Sequence, residues 1–370
     1  MKRMLTTLLI TGIASCLSIA YSQLSVGQVL QEVETNNKEL QAAARHLTAL
    51  KLEAKADNNL PDPTLSYTHQ YGNRAGMGIE GELIASQSFD FPTVYVQRGK
   101  LARAKSRVFD LRHADLRQRI LLSACRLCLD FVSLNRQKDL LQTRLDNAVH
   151  LSDLYAKRFA AGDVGILEVN KIDLEQLTVH MEVRRTDAAI LQKQQELQAL
   201  NGGIAVPFIA SAYEAADDLP PFDGLLSEAF ARDPALLALQ SEQSAARQSL
   251  AVSKVHRLPD LEAGYRLNTA VNGQRFNGFL VGMSLPIFSN HRQVQRAKAE
   301  ALRSDLLYDD AAVHTRSDLR RLYSQALSAK IPARVRPYTC PSGQSPSAAK
   351  GIGCQTNLHD RILYRSLRLL

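Results

Sequence analysis

Apolar and polar residues alternate strictly in four short stretches of this 370-residue chain. In "TLSYTHQY" the apolar positions are Leu65, Tyr67 and Tyr71; in "IEGELIASQSFDF" they are Ile79, Leu83, Ala85, Phe89 and Phe91. In "DLEAGYRLN" they are Leu261, Ala263, Tyr265 and Leu267, and in "FNGFLVGMSLP" Phe279, Val281, Met283 and Leu285. A period of two predicts β-strands with one apolar and one polar face. The polar face collects Ser66, Thr68, Glu80, Glu82, Ser86, Asp90, Glu262, Arg266 and Asn268, with Ile84 and Leu280 as exceptions.

Elsewhere the spacing is helical. A helix is expected from Val26 to Asp57, ended by Pro61 and Pro63, which lack the N–H a continuing helix needs. From Lys100 to Ala161 there is neither Gly nor Pro, and those 62 residues would span about 93 Å as one straight helix. Ordinary helices average about 11–12 residues. Leu127, Phe131, Leu134, Leu141, Leu145 and Ala148 form a coiled-coil seam, broken at Lys138. The chain reverses at "RFAAGDVGILEV" and returns to Asn201, with Leu174, Leu177, Met181, Ala188 and Leu191 as the expected seam. A connection over 204–222 leads into a second pass of helix, strand, Gly-rich turn, strand and long helix. "NKEL" at 37–40 corresponds to "DPAL" at 233–236, and "LPD" precedes a strand in both halves. The expected organisation is 1–22 a signal peptide, 23–223 a first repeat, 224–330 a second and shorter repeat, and 331–370 an atypical basic tail.

Composition narrows the class. "MKRMLTTLLITGIASCLSIAYSQ" has a basic start, an apolar stretch too short for a membrane helix, and an Ala20-Tyr21-Ser22 cleavage pattern. "IASC" also resembles a lipoprotein box, which would make Cys16 the lipidated residue. Either route takes the chain out of the cytoplasm. The net charge is +8, but Lys2, Arg3 and the tail carry most of it, so no basic stripe points to nucleic acid. Of five cysteines only Cys125 and Cys128 fall in the expected folded body. A zinc site needs about four ligands, so this C-x-x-C reads as packing. No Ser-His-Asp set, phosphate loop or paired-carboxylate pattern supports an enzyme, and no cofactor is expected.

Strands of about ten residues suit a tilted crossing of a bilayer. In lipid every strand edge must be paired, and four strands are too few to close a barrel. Several copies would have to share one. A soluble sheet packed on helices would also carry one apolar face, but long helices with narrow seams need neighbours of equal length.

The "NKEL" and "DPAL" helix starts, the paired "LPD", "SFDFP" and "SLPIF" at strand ends, and "RFAAGDVGILEVNKIDLEQL" at the hairpin resemble the TolC-like outer-membrane efflux proteins. Within these they are more similar to the branch serving heavy-metal and multidrug resistance-nodulation-division pumps. The resemblance spans about residues 25–330. It implies a mainly α fold with a β-barrel contribution: long antiparallel coiled-coil helices plus four transmembrane strands per chain, two internal repeats, and a trimeric α/β barrel. It implies a homotrimer in outer-membrane lipid, partnered by a periplasmic adaptor and an inner-membrane pump, with a helical tube in the periplasm. The adaptor-docking tip would be Arg158, Phe159, Gly162, Asp163, Val164 and Gly165, with Asp163 standing where relatives often have an apolar residue. Tyr67, Tyr71, Phe89, Phe91, Tyr265 and Phe279 would face lipid. Glu80, Glu82, Asp90, Glu262 and Arg266 would face the lumen, where the acids either attract cations or are simply solvated. The function implied is passive exit of metal cations or small toxic compounds. A periplasmic adaptor-like coiled coil and a type I secretion duct are the alternatives. Residues 331–370, with four Pro, two Cys and no helical periodicity, depart from the family and suggest a frameshifted or replaced end.

Overall fold

The computed structural model describes residues 25–73, 78–208, 213, 219–270, 273–286 and 290–330. The signal segment with Cys16 and the tail from 331 lie outside the described residues. In chain order come α1 (Val26–Asn36), α2 (Lys38–Ala56), β1 (Thr64–Tyr71), β2 (Ile79–Phe89), α3 (Pro92–Ala160), α4 (Ile166–Leu200), α5 (Phe222–Arg232), α6 (Pro234–Val255), β3 (Asp260–Thr269), β4 (Arg275–Ser284) and α7 (Asn290–Lys330). The order helix–helix–strand–strand–long helix occurs twice. The described residues divide into two compact units, one from within 25–41, 117–219 and 324–330, the other from within 42–116 and 220–323.

The helix expected over 26–57 is in fact two, because Asn37 interrupts it. Its backbone is extended at φ −60°, ψ 121°. Its Oδ1 accepts from the backbone N–H of Leu40 at 2.9 Å, and its Nδ2 donates to the carbonyl oxygen of Leu200 at 2.8 Å. Asp233 makes the corresponding break between α5 and α6: its carboxylate accepts from Ala235 N–H at 3.0 Å, with Pro234 opening the next helix. These are the two positions at which the halves of the sequence align. In the first unit the break is latched to the end of α4, where Asn36 Nδ2 donates to Asn201 Oδ1 at 3.1 Å and Asn201 is fully buried. Gly202 closes the latch. Its φ is +66°, and a Cβ there would stand 2.4 Å from the Asn36 carbonyl oxygen. Replacing Asn37 by Ala removes both the cap and the tie to Leu200, an expected loss of about 1–3 kcal/mol. Asn37→Asp, which keeps the cap alone, should recover part of it in the same chemical-denaturation measurement.

The first unit's core is Val29, Val33, Cys125, Cys128, Phe131, Val132, Val179, Leu197 and Phe208. Phe131 meets Phe208 edge to face, with ring centroids 6.1 Å apart. Here α3 and α4 form an antiparallel hairpin. The expected α3 seam is its packing face: Leu127, Phe131, Leu141 and Ala148 are buried. Its break at Lys138 is explained by an ion pair of 2.7 Å to Asp187 on α4. The expected α4 seam is not the packing face. Leu174, Leu177, Met181 and Leu191 are exposed, and α4 packs through Val179, Val183, Thr186 and Leu197 instead. The helix carries two apolar stripes, and spacing alone does not say which one meets α3.

In the second unit the four strands form one antiparallel sheet in the order β1-β2-β3-β4. Tyr67 lies opposite Leu83, Ala85 opposite Tyr265, and Tyr265 opposite Phe279. The two repeats therefore meet side by side along β2 and β3, and β1 and β4 are the sheet's edges.

Candidate functional site

Because the register pairs odd residues with odd, the apolar set of all four strands gathers on one face. That face is uncovered. Phe279 is 90% exposed, Val281 86%, Tyr71 76% and Tyr67 64%. Tyr265 is exposed and stacks edge-on against Phe279 at 6.2 Å. Phe89 is half-buried at the end of β2. On β1, Tyr67 Oη is 3.1 Å from His69 Nδ1, and His69 meets Tyr71 edge to face at 4.6 Å. Gly81 leaves room for the Tyr67 ring, since a Cβ there would be 3.1 Å from Tyr67 Oη. Among the described residues, no helix is long and apolar enough to cross a membrane.

The opposite face is polar, and its charges are paired more than the sequence suggests. Arg266 on β3 makes an ion pair with Glu82 on β2. Glu80 accepts from Asn268 Nδ2 at 3.2 Å. Glu262 lies opposite Gly282, where an added Cβ would come 3.2 Å from its Oε2. Gly264 is held tighter still: a Cβ there would stand 2.7 Å from the Ala85 carbonyl oxygen. Glu80, Glu82, Asp260 and Glu262 thus share the face with one cation, Arg266. Two residues expected on the strands are not on them. Asp90 and Phe91 lie past the last residue of β2, at the turn into α3. There Asp90 pairs with Arg98 and its backbone N–H donates to Tyr95 Oη at 3.0 Å, while the Phe91 carbonyl accepts from Val94 N–H at 2.8 Å. The period of two ran on through Phe91, so Pro92, which opens the helix, was the signal that ends the strand sooner.

The hairpin tip is a tightly specified turn. Gly162 N–H donates to the Phe159 carbonyl and Asp163 N–H to the Arg158 carbonyl, both at 2.9 Å. This is a Schellman closure of α3, and it requires the left-handed φ of +79° at Gly162. At Gly165 the backbone N–H donates to Glu168 Oε2 at 2.8 Å, capping α4. Arg158 lies 5.9 Å from the Tyr155 ring centroid. Val164 is half-buried, while Phe159, Ile166 and Leu167 are exposed. Ile166 and Leu167 belong to the tip's apolar surface, although they follow the glycines that mark it in sequence. Among the described residues no three His, Cys, Asp or Glu side chains gather into a metal site; Cys125 and Cys128 are buried on α3.

No family model matches the chain. The cobalt-zinc-cadmium resistance protein CzcC of Cupriavidus metallidurans is 25% identical over 169 residues, 42% of this chain and 40% of CzcC, so the match spans less than half of that relative. Among solved structures, the Campylobacter jejuni CmeC outer membrane channel superposes with a TM-score of 0.64 at 15% identity, covering 95% of this chain and 83% of CmeC. The Vibrio cholerae outer membrane protein VceC gives 0.62 at 16% identity, covering 93% and 91%. CusC, whose structures concern folding and transmembrane channel formation, gives 0.63 at 13%, covering 83% and 75%. Aligned with these structures over 83–95% of its length, this chain has the fold of the TolC-like outer-membrane channels.

Proposed function

We propose that this chain is a passive outer-membrane exit duct that works in a tripartite efflux pump. The observation that carries the reading is the two-faced sheet: four strands, two open edges, a bare apolar and aromatic face, and a polar face of carboxylates. Water does not favour such a bare face, and lipid does not tolerate open edges. Both are resolved when three copies pair β4 of one with β1 of the next, giving a twelve-stranded barrel whose odd residues meet lipid and whose even residues line the bore. The unused apolar stripe of α4 fits the same assembly, since a neighbouring copy's helix can cover it. The tip formed by Arg158, Phe159 and residues 162–167 is the surface offered to a periplasmic adaptor, with an inner-membrane pump supplying the energy. The likeness to CzcC favours divalent metal cations as cargo.

Fractionation and conductance test this. The full chain should be recovered in outer membranes as a heat-modifiable oligomer and give discrete conductance steps in planar bilayers; recovery in the soluble periplasm would contradict it. With four carboxylates and one guanidinium per chain on the polar face, the pore should prefer cations. In a salt gradient, Glu80→Gln with Glu262→Gln should move the reversal potential towards zero.

A further inference from the structure

The sheet has two unlike ends. At one lie both hairpin turns. At the other, Thr64 is opposite Ser86, Phe89 opposite Leu261 and Asp260 opposite Ser284, so all four strand ends that join helices lie together. The helix segments at this end carry six exposed cations beside two exposed acids, Glu53 and Asp57. Lys55 on α2, Lys100 and Arg103 on α3, Lys254 on α6, Arg257 just beyond it and Arg292 on α7 are all exposed. None of these six has an ion-pair partner among the described residues. By contrast Arg98 at the same level is committed to Asp90 and approaches His256 Nε2 at 3.3 Å.

Neither α3 nor α7 has an acid in its first turn, although acids there would complement the helix dipole. Lys55 and Lys254 stand in the last turns of α2 and α6, complementing the negative ends that those helices present here, while Lys100, Arg103 and Arg292 follow the positive ends of α3 and α7 with no first-turn acid to balance them. Arg103 is eleven residues into α3, so the whole group lies within roughly 17 Å of the sheet along the helices. Inside this zone is a cavity of about 260 Å³, walled by Ala54, Leu101, Ala102 and Val252 and edged by Asp57, Arg98 and Lys105. Lys105 is held only loosely there, 3.4 Å from Asp57.

We propose that this basic collar binds the phosphate headgroups of anionic phospholipids in the leaflet at the helical end of the sheet. The inference rests on the channel reading, which puts the apolar sheet face in hydrocarbon and so puts the collar at the phosphate level. Long cationic side chains reach from helix surface to that level, and anionic lipid attracts clustered Lys and Arg. The apolar walls of the cavity suit the glycerol and first methylenes beneath a phosphate. Inorganic phosphate offers the charge without that apolar portion and is expected to bind weakly.

Spin-labelled lipids provide the test, since the full chain can be reconstituted in phosphatidylcholine bilayers containing a trace of labelled phosphatidylglycerol or labelled phosphatidylcholine. Electron paramagnetic resonance then reads the lipid held at the protein surface. Labelled phosphatidylglycerol should associate at least about threefold more strongly than labelled phosphatidylcholine, and the difference should fall in 0.5 M salt. Millimolar inorganic phosphate should leave it in place. A variant with Lys55→Gln, Lys100→Gln, Arg103→Gln, Arg257→Gln and Arg292→Gln should lose the preference and still insert, because these side chains are exposed. Lys100→Gln with Arg103→Gln alone should lose part of it. Equal association of both lipids with the unaltered protein, or a preference unchanged in the five-residue variant, would overturn the proposal. Finding no motionally restricted lipid of either kind would instead overturn the channel reading beneath it.

Discussion

Phe279→Arg should prevent assembly in the membrane, whereas Phe279→Leu should leave it intact. Phe279 stands at the middle of β4, opposite Tyr265, and is the most exposed of the sheet's large apolar residues. If its face meets lipid, an arginine there costs about 2–4 kcal/mol near the bilayer midplane. That corresponds to a change of roughly thirty- to a thousandfold in the equilibrium. Leucine keeps the apolar contact with the acyl chains and loses only the edge contact with Tyr265. The neighbouring residue supplies the control. Leu280 points to the polar face, opposite Gly264, which has no side chain of its own. Leu280→Arg should therefore fold and assemble at nearly wild-type yield. Heat-modifiable oligomer on mild gels, scored as a fraction of total outer-membrane protein, reads all three variants.

Phe131→Ala should produce the largest loss of stability in the helical hairpin. The ring is 2% exposed, sits among Cys128, Val132 and the α3–α4 packing face, and contacts Phe208 of the connection after α4. Truncation removes the ring and leaves a cavity, at an expected cost of about 3–5 kcal/mol. Because Phe208 loses its ring partner, the connection after α4 should also loosen, and proteolysis near residue 208 should become faster. Phe131→Leu keeps most of the volume and should cost less than about 1.5 kcal/mol. The chain has no Trp, so helical circular dichroism through a denaturant titration is the suitable readout. Cys125→Ser, by contrast, tests whether the C-x-x-C matters only as packing. It places a hydroxyl in the same buried unit and should lower stability without altering any metal-dependent property.

Much of this was legible in the sequence because the signals were of two clean periods. Strict alternation located all four strands to within a few residues, and the absence of Gly and Pro over 100–161 announced the long helix, which begins earlier, at Pro92. The glycines at 162 and 165 marked the tip. What escaped was decided by neighbours remote in sequence. The break at Asn37 had a local signal, since Asn is a strong N-cap and its Oδ1 caps Leu40, but its tie to the Leu200 carbonyl, 163 positions away, is set by the fold. The choice between two apolar stripes on α4 depends on how α3 approaches. The neutralisation of Glu82 by Arg266 depends on a register between β2 and β3, which only the folded sheet fixes. Asp90 looked like a strand residue by parity, yet Pro92 had already begun the helix and turned it towards Arg98.

The claim that everything rests on is that one face of this sheet lies in hydrocarbon and the other in water. A scan of single nitroxide labels over residues 277–283 of β4, in a background without other reactive cysteines and reconstituted in liposomes, measures it directly. Oxygen accessibility should peak at 279, 281 and 283, and accessibility to a water-soluble nickel complex should peak at 278, 280 and 282. Low accessibility to both reagents at 279 and 281, the mark of side chains packed inside protein, would contradict the account.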